Sequence, residues 1–131
     1  MTLKEKEKTK KILQHLVQSK EFLICNALKI SIGTNTPKGG NISHGGITLF
    51  TLVNEFGTDW NTEVTKRNGV IRSIEDPTEI AIILYGDSEA ETFLKCLKYA
   101  VEVLEKQMFE NLRSRKKDEI SGSGVKDGLV H

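Results

Sequence analysis

Side chains able to act as nucleophile, base or acid are present, and their spacing decides whether they form a catalytic set. Ser43 and His44 are adjacent and Asp59 follows them, which is the one combination resembling a hydrolase set. The pair lies in a glycine-rich stretch, without the sharp strand-to-helix turn that exposes a nucleophilic serine. The sequence therefore predicts no catalytic site, no enzymatic activity and no cofactor.

The residues that could bind a metal ion or a phosphate also lack the spacing of a binding site. The 3 histidines, His15, His44 and His131, show no metal-ligand spacing, and the 2 cysteines, Cys25 and Cys96, form no cluster. We expect both thiols to be free and buried in a reducing cytosol. The glycine pairs at 39–40 and 45–46 lack the spacing of a phosphate-binding loop. No metal site is predicted.

Basic residues are concentrated at two places although the chain is nearly neutral. Lys+Arg total 19 and Asp+Glu total 18, a formal charge of +1. One patch runs from Lys4 to Lys11 and the other from Arg113 to Lys117. The second complements the negative end of a helix dipole. The alternative function is a small nucleic-acid-binding regulator that uses both patches, and it predicts salt-sensitive binding to duplex DNA.

The length and composition fit one modest domain. A chain of 131 residues with 37% apolar residues supports a single core, which we place at residues 1–117. Residues 118–131 have no periodicity and are predicted to be a flexible tail, available as a strap from Ser121 between subunits. No apolar run approaches a membrane span, so no membrane association is predicted.

The first third of the chain predicts a helix, a strand and a loop. Residues 3–19 carry an apolar stripe at helical spacing after a lysine-rich start. Leu28, Ile30 and Ile32 alternate with polar residues, which is typical of a half-buried strand that ends at Gly33. Residues 34–43 are rich in Gly, Asn, Thr and Pro and predict a loop.

The stretch ITLFTLVNEF, residues 47–56, is interpreted as a short central helix. Its apolar residues fall at i, i+3, i+4 and i+7, one face of an amphipathic helix. Gly57 follows at the position where a left-handed residue closes a helix. The residues assigned to the core face are Leu49, Leu52, Val53 and Phe56.

The second half of the chain predicts a hairpin, a strand and a long helix. Asn68-Gly69 joins residues 62–66 to residues 70–74 in a hairpin, and Glu79–Tyr85 is an apolar run typical of a buried strand. A helix begins at Ser88, in a capping-box pattern with Glu91, and runs to about Lys117. Its apolar stripe is longer than so small a domain covers, so part of it should pack on another subunit. The stripe comprises Phe93, Leu97, Ala100, Val101, Leu104, Met108 and Leu112.

These elements predict an α+β fold. A small antiparallel or mixed β-sheet packs against the long C-terminal helix, and the N-terminal helix, the short central helix and a projecting hairpin complete it.

The sequences LKISIG and GGITLFTLVNEFGTDW, at residues 28–33 and 45–60, resemble the tail-completion or neck proteins of tailed bacteriophages, also described as virion-morphogenesis or minor tail components. The family signature, aliphatic–(His/Asn)–Glu–(Phe/Tyr)–Gly, stands here as Val53-Asn54-Glu55-Phe56-Gly57. In that family an extended hairpin and a long C-terminal helix follow. Its Ile-Pro-x-Arg-Pro-Phe-type segment is replaced here by IAIILYGD at residues 80–87.

The resemblance implies a tail-terminator-like structural protein of the virion, located at the head–tail junction and assembled in the cytoplasm of the bacterial host. Such proteins form homo-oligomeric rings, commonly six-fold, that join the tail tube to the head-closure or connector proteins, and DNA passes through the lumen without specific binding. In this reading Glu55 and Gly57 fix the turn into the hairpin. The proposed interface residues are Asn61, Glu63, Lys66, Arg67, Arg72, Leu104, Met108 and Leu112.

Overall fold

The computed structural model describes residues 3–39 and 45–121 of the chain. Two helices and six strands lie in these residues. They are α1 (Leu3–Ile12), β1 (Gln18–Leu23), β2 (Ala27–Thr34), β3 (Ile47–Phe56), β4 (Asn61–Thr65), β5 (Ile71–Glu75), β6 (Glu79–Tyr85) and α2 (Asp87–Ser121).

The strands form two antiparallel sheets. The larger sheet has the order β1-β2-β3-β6, and the smaller sheet is formed by β4 and β5. The α+β class, the N-terminal helix and the long C-terminal helix are confirmed. The predicted hairpin is also present, shifted by one residue at each strand.

The predicted short central helix is wrong, because residues 47–56 form β3, an interior strand of the sheet. β3 pairs with β2 on one side and with β6 on the other. In an extended strand successive side chains point to opposite faces. Leu49 and Val53 therefore share one face and Leu52 the other, instead of lying together with Phe56 on a helical stripe.

The core of the first compact part of the chain lies where α1 crosses β3. Leu13 and Leu49 are both 0% exposed. Helix α1 ends at Ile12 rather than at the predicted residue 19, and a turn follows in which the Val17 amide donates to the Leu13 carbonyl at 3.0 Å. A side chain at Gly33 would collide with the Val17 backbone, so this glycine allows β2 to approach the turn closely.

Strand β1 was not predicted from the sequence, and both cysteines were misplaced. Gln18–Leu23 pairs along its whole length with β2, and all its side chains are exposed. The connecting turn is closed by the Ile24 amide, which donates to the Asn26 carbonyl at 3.0 Å. Cys25 and Cys96 are exposed free thiols, not buried ones.

The chain divides into two compact units between Ala90 and Glu91. Helix α2 begins at Asp87, so Ser88 lies inside it, and it extends to Ser121, beyond the predicted end near Lys117. Its 35 residues correspond to a length of roughly 52 Å. Residues 122–131 of the predicted tail lie outside the described residues. No helix in the described ranges has the length and apolar character needed to cross a membrane.

Candidate functional site

A side-chain clamp holds the turn that follows β3. The Asn54 amide binds the backbone of Thr58 twice: its Oδ1 accepts from the Thr58 N–H at 3.0 Å, and its Nδ2 donates to the Thr58 carbonyl at 3.1 Å. Asn26 Nδ2 donates to Thr58 Oγ1 at 2.8 Å. Gly57 has a φ of 70°, in the left-handed region that glycine adopts without a Cβ penalty. The turn therefore has a fixed shape.

The roles of the signature residues in the structure differ from those that the sequence predicted. Glu55 and Phe56 are exposed, and Glu55 makes no side-chain hydrogen bond or ion pair with the described residues that could fix the turn. The clamp is made by Asn54, which sequence reasoning did not single out. The signal was present, because asparagine side chains readily bind backbone groups in turns.

Removal of the clamp gives a direct stability prediction. We expect Asn54→Ala to lower the free energy of unfolding by about 1–3 kcal/mol, because two hydrogen bonds to a partly buried backbone are lost. Urea unfolding measures the change. The matched control, Glu55→Ala, should remain within about 0.5 kcal/mol of the unchanged chain. Equal effects of the two variants would show that the clamp is not what holds the turn.

The hairpin of β4 and β5, Asn61–Glu75, is called the arm below. At its base the Trp60 indole Nε1 donates to the Pro77 carbonyl at 2.7 Å, and the Asp76 amide donates to the Trp60 carbonyl at 3.1 Å. At its tip the Gly69 amide donates to the Lys66 carbonyl at 2.9 Å, with Gly69 at a φ of 88°. This is a three-residue loop with glycine at the left-handed position. Both ends of the arm are thus fixed by hydrogen bonds.

The two faces of the arm differ in chemistry. The pairing Thr62↔Ile74 and Val64↔Arg72 places these residues on one face, and Val70 opposite Lys66 extends it toward the tip. Val64, Val70 and Ile74 are exposed by 60%, 45% and 55%. The opposite face carries Asn61, Glu63, Thr65, Ile71, Ser73 and Glu75.

The predicted interface residues of the arm are therefore not brought to one surface. Arg72 and Lys66 lie on the same face as Val64 and Val70, Glu63 lies on the opposite face across from Ser73, and Arg67 is in the tip loop. Asn61 serves the base, where its Oδ1 accepts from the Asp76 amide at 3.2 Å. The face that carries Val64, Val70 and Ile74 together with Lys66 and Arg72 is the more apolar surface of the arm. The sequence analysis did not propose Val64, Val70 and Ile74 as interface residues.

Helix α2 exposes the other predicted interface residues. Leu104, Met108 and Leu112 recur every four residues, so they lie along one side of the helix, and all three are exposed. The basic run from Arg113 follows them. The Arg113 guanidinium lies 5.8 Å from the centre of the Phe109 ring, so this charge lies over an exposed aromatic side chain of its own helix.

The N-terminal basic patch is partly engaged within the fold. Lys6 Nζ lies 2.7 Å from a carboxylate oxygen of Glu79 in β6. Lys10 lines a cleft of about 280 Å³ between α1 and the sheet. The remaining residues that line it are Gln14, Val17, Ser19, Lys29, Ser31, Leu49, Thr51, Val53 and Glu79. Hydroxyl groups and charges of both signs line this cleft. It is therefore not the uniformly positive surface that binds a phosphate backbone.

The glycine-rich loop presents backbone amides, and a carboxylate of the same chain already binds them. The amides of Lys38 and Gly39 donate to the two Asp87 oxygens at 3.1 and 2.9 Å. Gly46 lies against Asp87, where a side chain would have no room. An anion-binding arrangement of amides is thus filled internally. Ser43 and His44 of the hydrolase-like set lie outside the described residues.

No group of three or more His, Cys, Asp or Glu side chains converges within the described ranges. Comparisons with protein-family models, curated proteins and solved structures yield no match to the chain.

Proposed function

We propose that the chain is a structural subunit of the virion of a tailed bacteriophage, part of the tail-completion or neck ring that joins the tail tube to the head connector. Two independent features support this proposal. One is the resemblance of residues 28–33 and 45–60 to that family, with the signature at Val53–Gly57. The other is the arm, whose exposed apolar face has the character of a docking surface. The chain acts in this role by binding proteins and carries out no reaction.

The observation that carries the proposal is the exposure of the apolar face of the arm. Its two strands pair with each other and with no third strand of the part of the chain that the structure describes, and its apolar face is exposed. A two-stranded hairpin alone is marginally stable in water, and packing of one face against another surface stabilises it. An arm with hydrogen bonds at both ends and a bare apolar face therefore fits a contact completed by a neighbouring protein.

In the proposed ring, the Asn54 clamp and Gly57 set the direction in which the chain leaves β3. The arm then lies against a neighbouring subunit or the adjoining ring, with Val64, Val70 and Ile74 buried in the contact. Lys66 and Arg72 at the border of this face would meet carboxylates or solvent. Residues 47–56 are an interior strand and take no part in self-association in this proposal. Self-association depends on the arm and α2.

The oligomeric mass of the chain, alone and mixed with the tail-tube protein of the same virus, tests the proposal by light scattering. We expect a ring-sized species, or a larger complex that contains both proteins. The alternative regulator predicts a small species that binds duplex DNA and loses affinity steeply between about 50 and 200 mM salt. A small species with that DNA binding, and without complex formation, would contradict the proposal.

A further inference from the structure

The apolar residues of α2 follow the spacing of a coiled-coil seam. Steps of three and four residues alternate from Leu94 to Met108, which is the a/d pattern of a heptad repeat. We call this set the α2 seam, and its members are Leu94, Leu97, Val101, Leu104 and Met108. Leu94, Val101, Leu104 and Met108 are exposed by 50–67%. Leu97 is half-buried, and the exposure of the other four members leaves the α2 seam open to a facing helix of the kind that such a pattern requires.

We propose that the occupant of the α2 seam is α2 of a second copy of this chain, running antiparallel, with Val101 packed against Leu104 of the partner. In this register Leu97 packs against Met108 of the partner. By symmetry each pair occurs twice, so the four central layers of the seam are apolar. The inference deepens the self-association of the proposed function by naming the partner of the α2 surface.

The charges beside the α2 seam favour this orientation. On one flank Lys98 comes opposite Glu105 of the partner, whereas Glu91 comes opposite the uncharged Leu112 of the partner. Two-fold symmetry repeats the contact between Lys98 and Glu105, so the dimer has two such ion pairs. The other flank, Phe93, Ala100 and Gln107, is uncharged. Opposite charges at such flanking positions set the partner and the orientation of paired helices.

A parallel pair lacks these contacts. It would place Ala100 beside Glu105 and Phe93 beside Lys98, with no ion pair. It would also bring the basic residues Arg113, Arg115 and Lys116 of both copies together at one end. In the antiparallel pair this basic end lies beside Glu89 and Glu91 of the partner, at the acidic start of its helix.

The antiparallel pair is closed by a two-fold axis, so it stops at two copies. It is therefore a separate contact from the one that would repeat around a ring, and the two are tested separately. An arm variant that fails to assemble while still pairing through α2 would support both claims, because it shows the two contacts to be separate. A chain that pairs through α2 but is absent from virions would overturn the neck proposal alone.

Cross-linking through engineered cysteines tests the orientation. The full chain carrying Cys25→Ser and Cys96→Ser, which remove its two exposed thiols, is the background. We expect a disulfide-linked dimer when Lys98→Cys and Glu105→Cys chains are mixed and oxidised, involving up to about half of the chains, and little when either is oxidised alone. A mixture of Ala100→Cys and Glu105→Cys chains reports the parallel pair. Cross-linking in that mixture alone would overturn the proposal.

Sedimentation equilibrium tests the seam itself. We expect Leu104→Arg to weaken the dimer by at least roughly 100-fold, because a charge enters the centre of the contact. Tyr99→Arg, on the opposite side of α2 and 67% exposed, is the matched control and should leave the dimer intact. Circular dichroism checks that both variants keep their helix. A dimer unaffected by Leu104→Arg, or an unchanged chain that stays monomeric at about 100 μM, would overturn the proposal.

A charge swap tests the flank without altering the apolar residues. Lys98→Glu alone and Glu105→Lys alone should each weaken the dimer by about three- to tenfold, because two ion pairs per dimer become repulsive. The double variant restores opposite charges and should return the affinity to within about threefold of the original. A double variant as weak as the two single changes combined would overturn the assigned register.

Discussion

Virus particles that carry Val64→Thr, Val70→Thr and Ile74→Thr in the arm should fail to join heads to tails. Threonine keeps the β-branched shape that suits a strand, so the hairpin is retained while its apolar face gains hydroxyl groups. Each hydroxyl buried without a partner costs about 1–2 kcal/mol. Three such costs weaken docking by roughly 100-fold or more. Complementation of a virus that lacks the gene, scored by titre and by electron microscopy of free tails, measures the effect.

The polar face of the arm supplies the control. Glu63→Gln, Thr65→Ser and Ser73→Thr change the same number of residues on the opposite face and should leave the titre within about threefold of normal. If both triple variants are equally defective, the integrity of the hairpin matters and its apolar face does not. If neither is defective although both proteins accumulate, the arm is not the docking element.

Leu49→Ala should destabilise the sheet unit by about 2–5 kcal/mol. Leu49 lies in an interior strand, is 0% exposed, and is flanked by Gly33 in β2 and Ile83 in β6. A cavity left there cannot be filled by the paired backbones on either side, so the loss should be toward the upper part of the range for leucine truncation. Thermal or urea unfolding of the full chain measures it.

Phe56→Ala is the informative control, because the residue is 66% exposed at the end of the same strand. Its unfolding free energy should change by less than about 1 kcal/mol. A helix over residues 47–56 would bury Leu49 and Phe56 on one face and make the two truncations comparably costly. Similar large losses for both would therefore contradict the strand.

The misreading of residues 47–56 has a specific physical origin. β3 carries apolar side chains on both faces, Leu49 and Val53 on one and Phe50 and Leu52 on the other, so its sequence matches a helical period as well as a strand period. Four β-branched residues of this stretch favour a strand, namely Ile47, Thr48, Thr51 and Val53. The i, i+3, i+4, i+7 spacing of the apolar residues nevertheless predicts a helix. Pairing with β2 and β6, distant in sequence, decides the outcome.

Elements with local signals were predicted well. Strict alternation gave β2, the Asn68-Gly69 turn gave the hairpin, and sustained helical periodicity gave α2. Strand β1 has neither alternation nor buried side chains, and it exists only because β2 offers a free edge. The end of α1 is likewise set by the turn that follows it, in which Val17 lies against Gly33 and after which β1 begins.

The interface residues stay a prediction, and the structure shows only how the fold distributes them. The hairpin was expected to act through Glu63, Lys66, Arg67 and Arg72, yet strand pairing divides these between two faces and the tip. Which arm residues share a face follows from the register, which the turn type fixes. The Asn54 clamp is local, since Thr58 is four residues away, whereas Asp87 binds the backbone of Lys38 and Gly39, which sequence alone does not bring to it.

Hydrogen exchange of the arm, compared between the free chain and purified virus particles, tests most directly whether this hairpin is completed by a neighbouring protein. In the free chain, the β4 and β5 amides should exchange nearly as fast as an open hairpin, whereas those of β3, interior to the sheet, should be protected. In the particle, we expect the arm amides to become at least roughly 100-fold slower. Equal exchange in both states, or particles without peptides of this chain, would contradict the account.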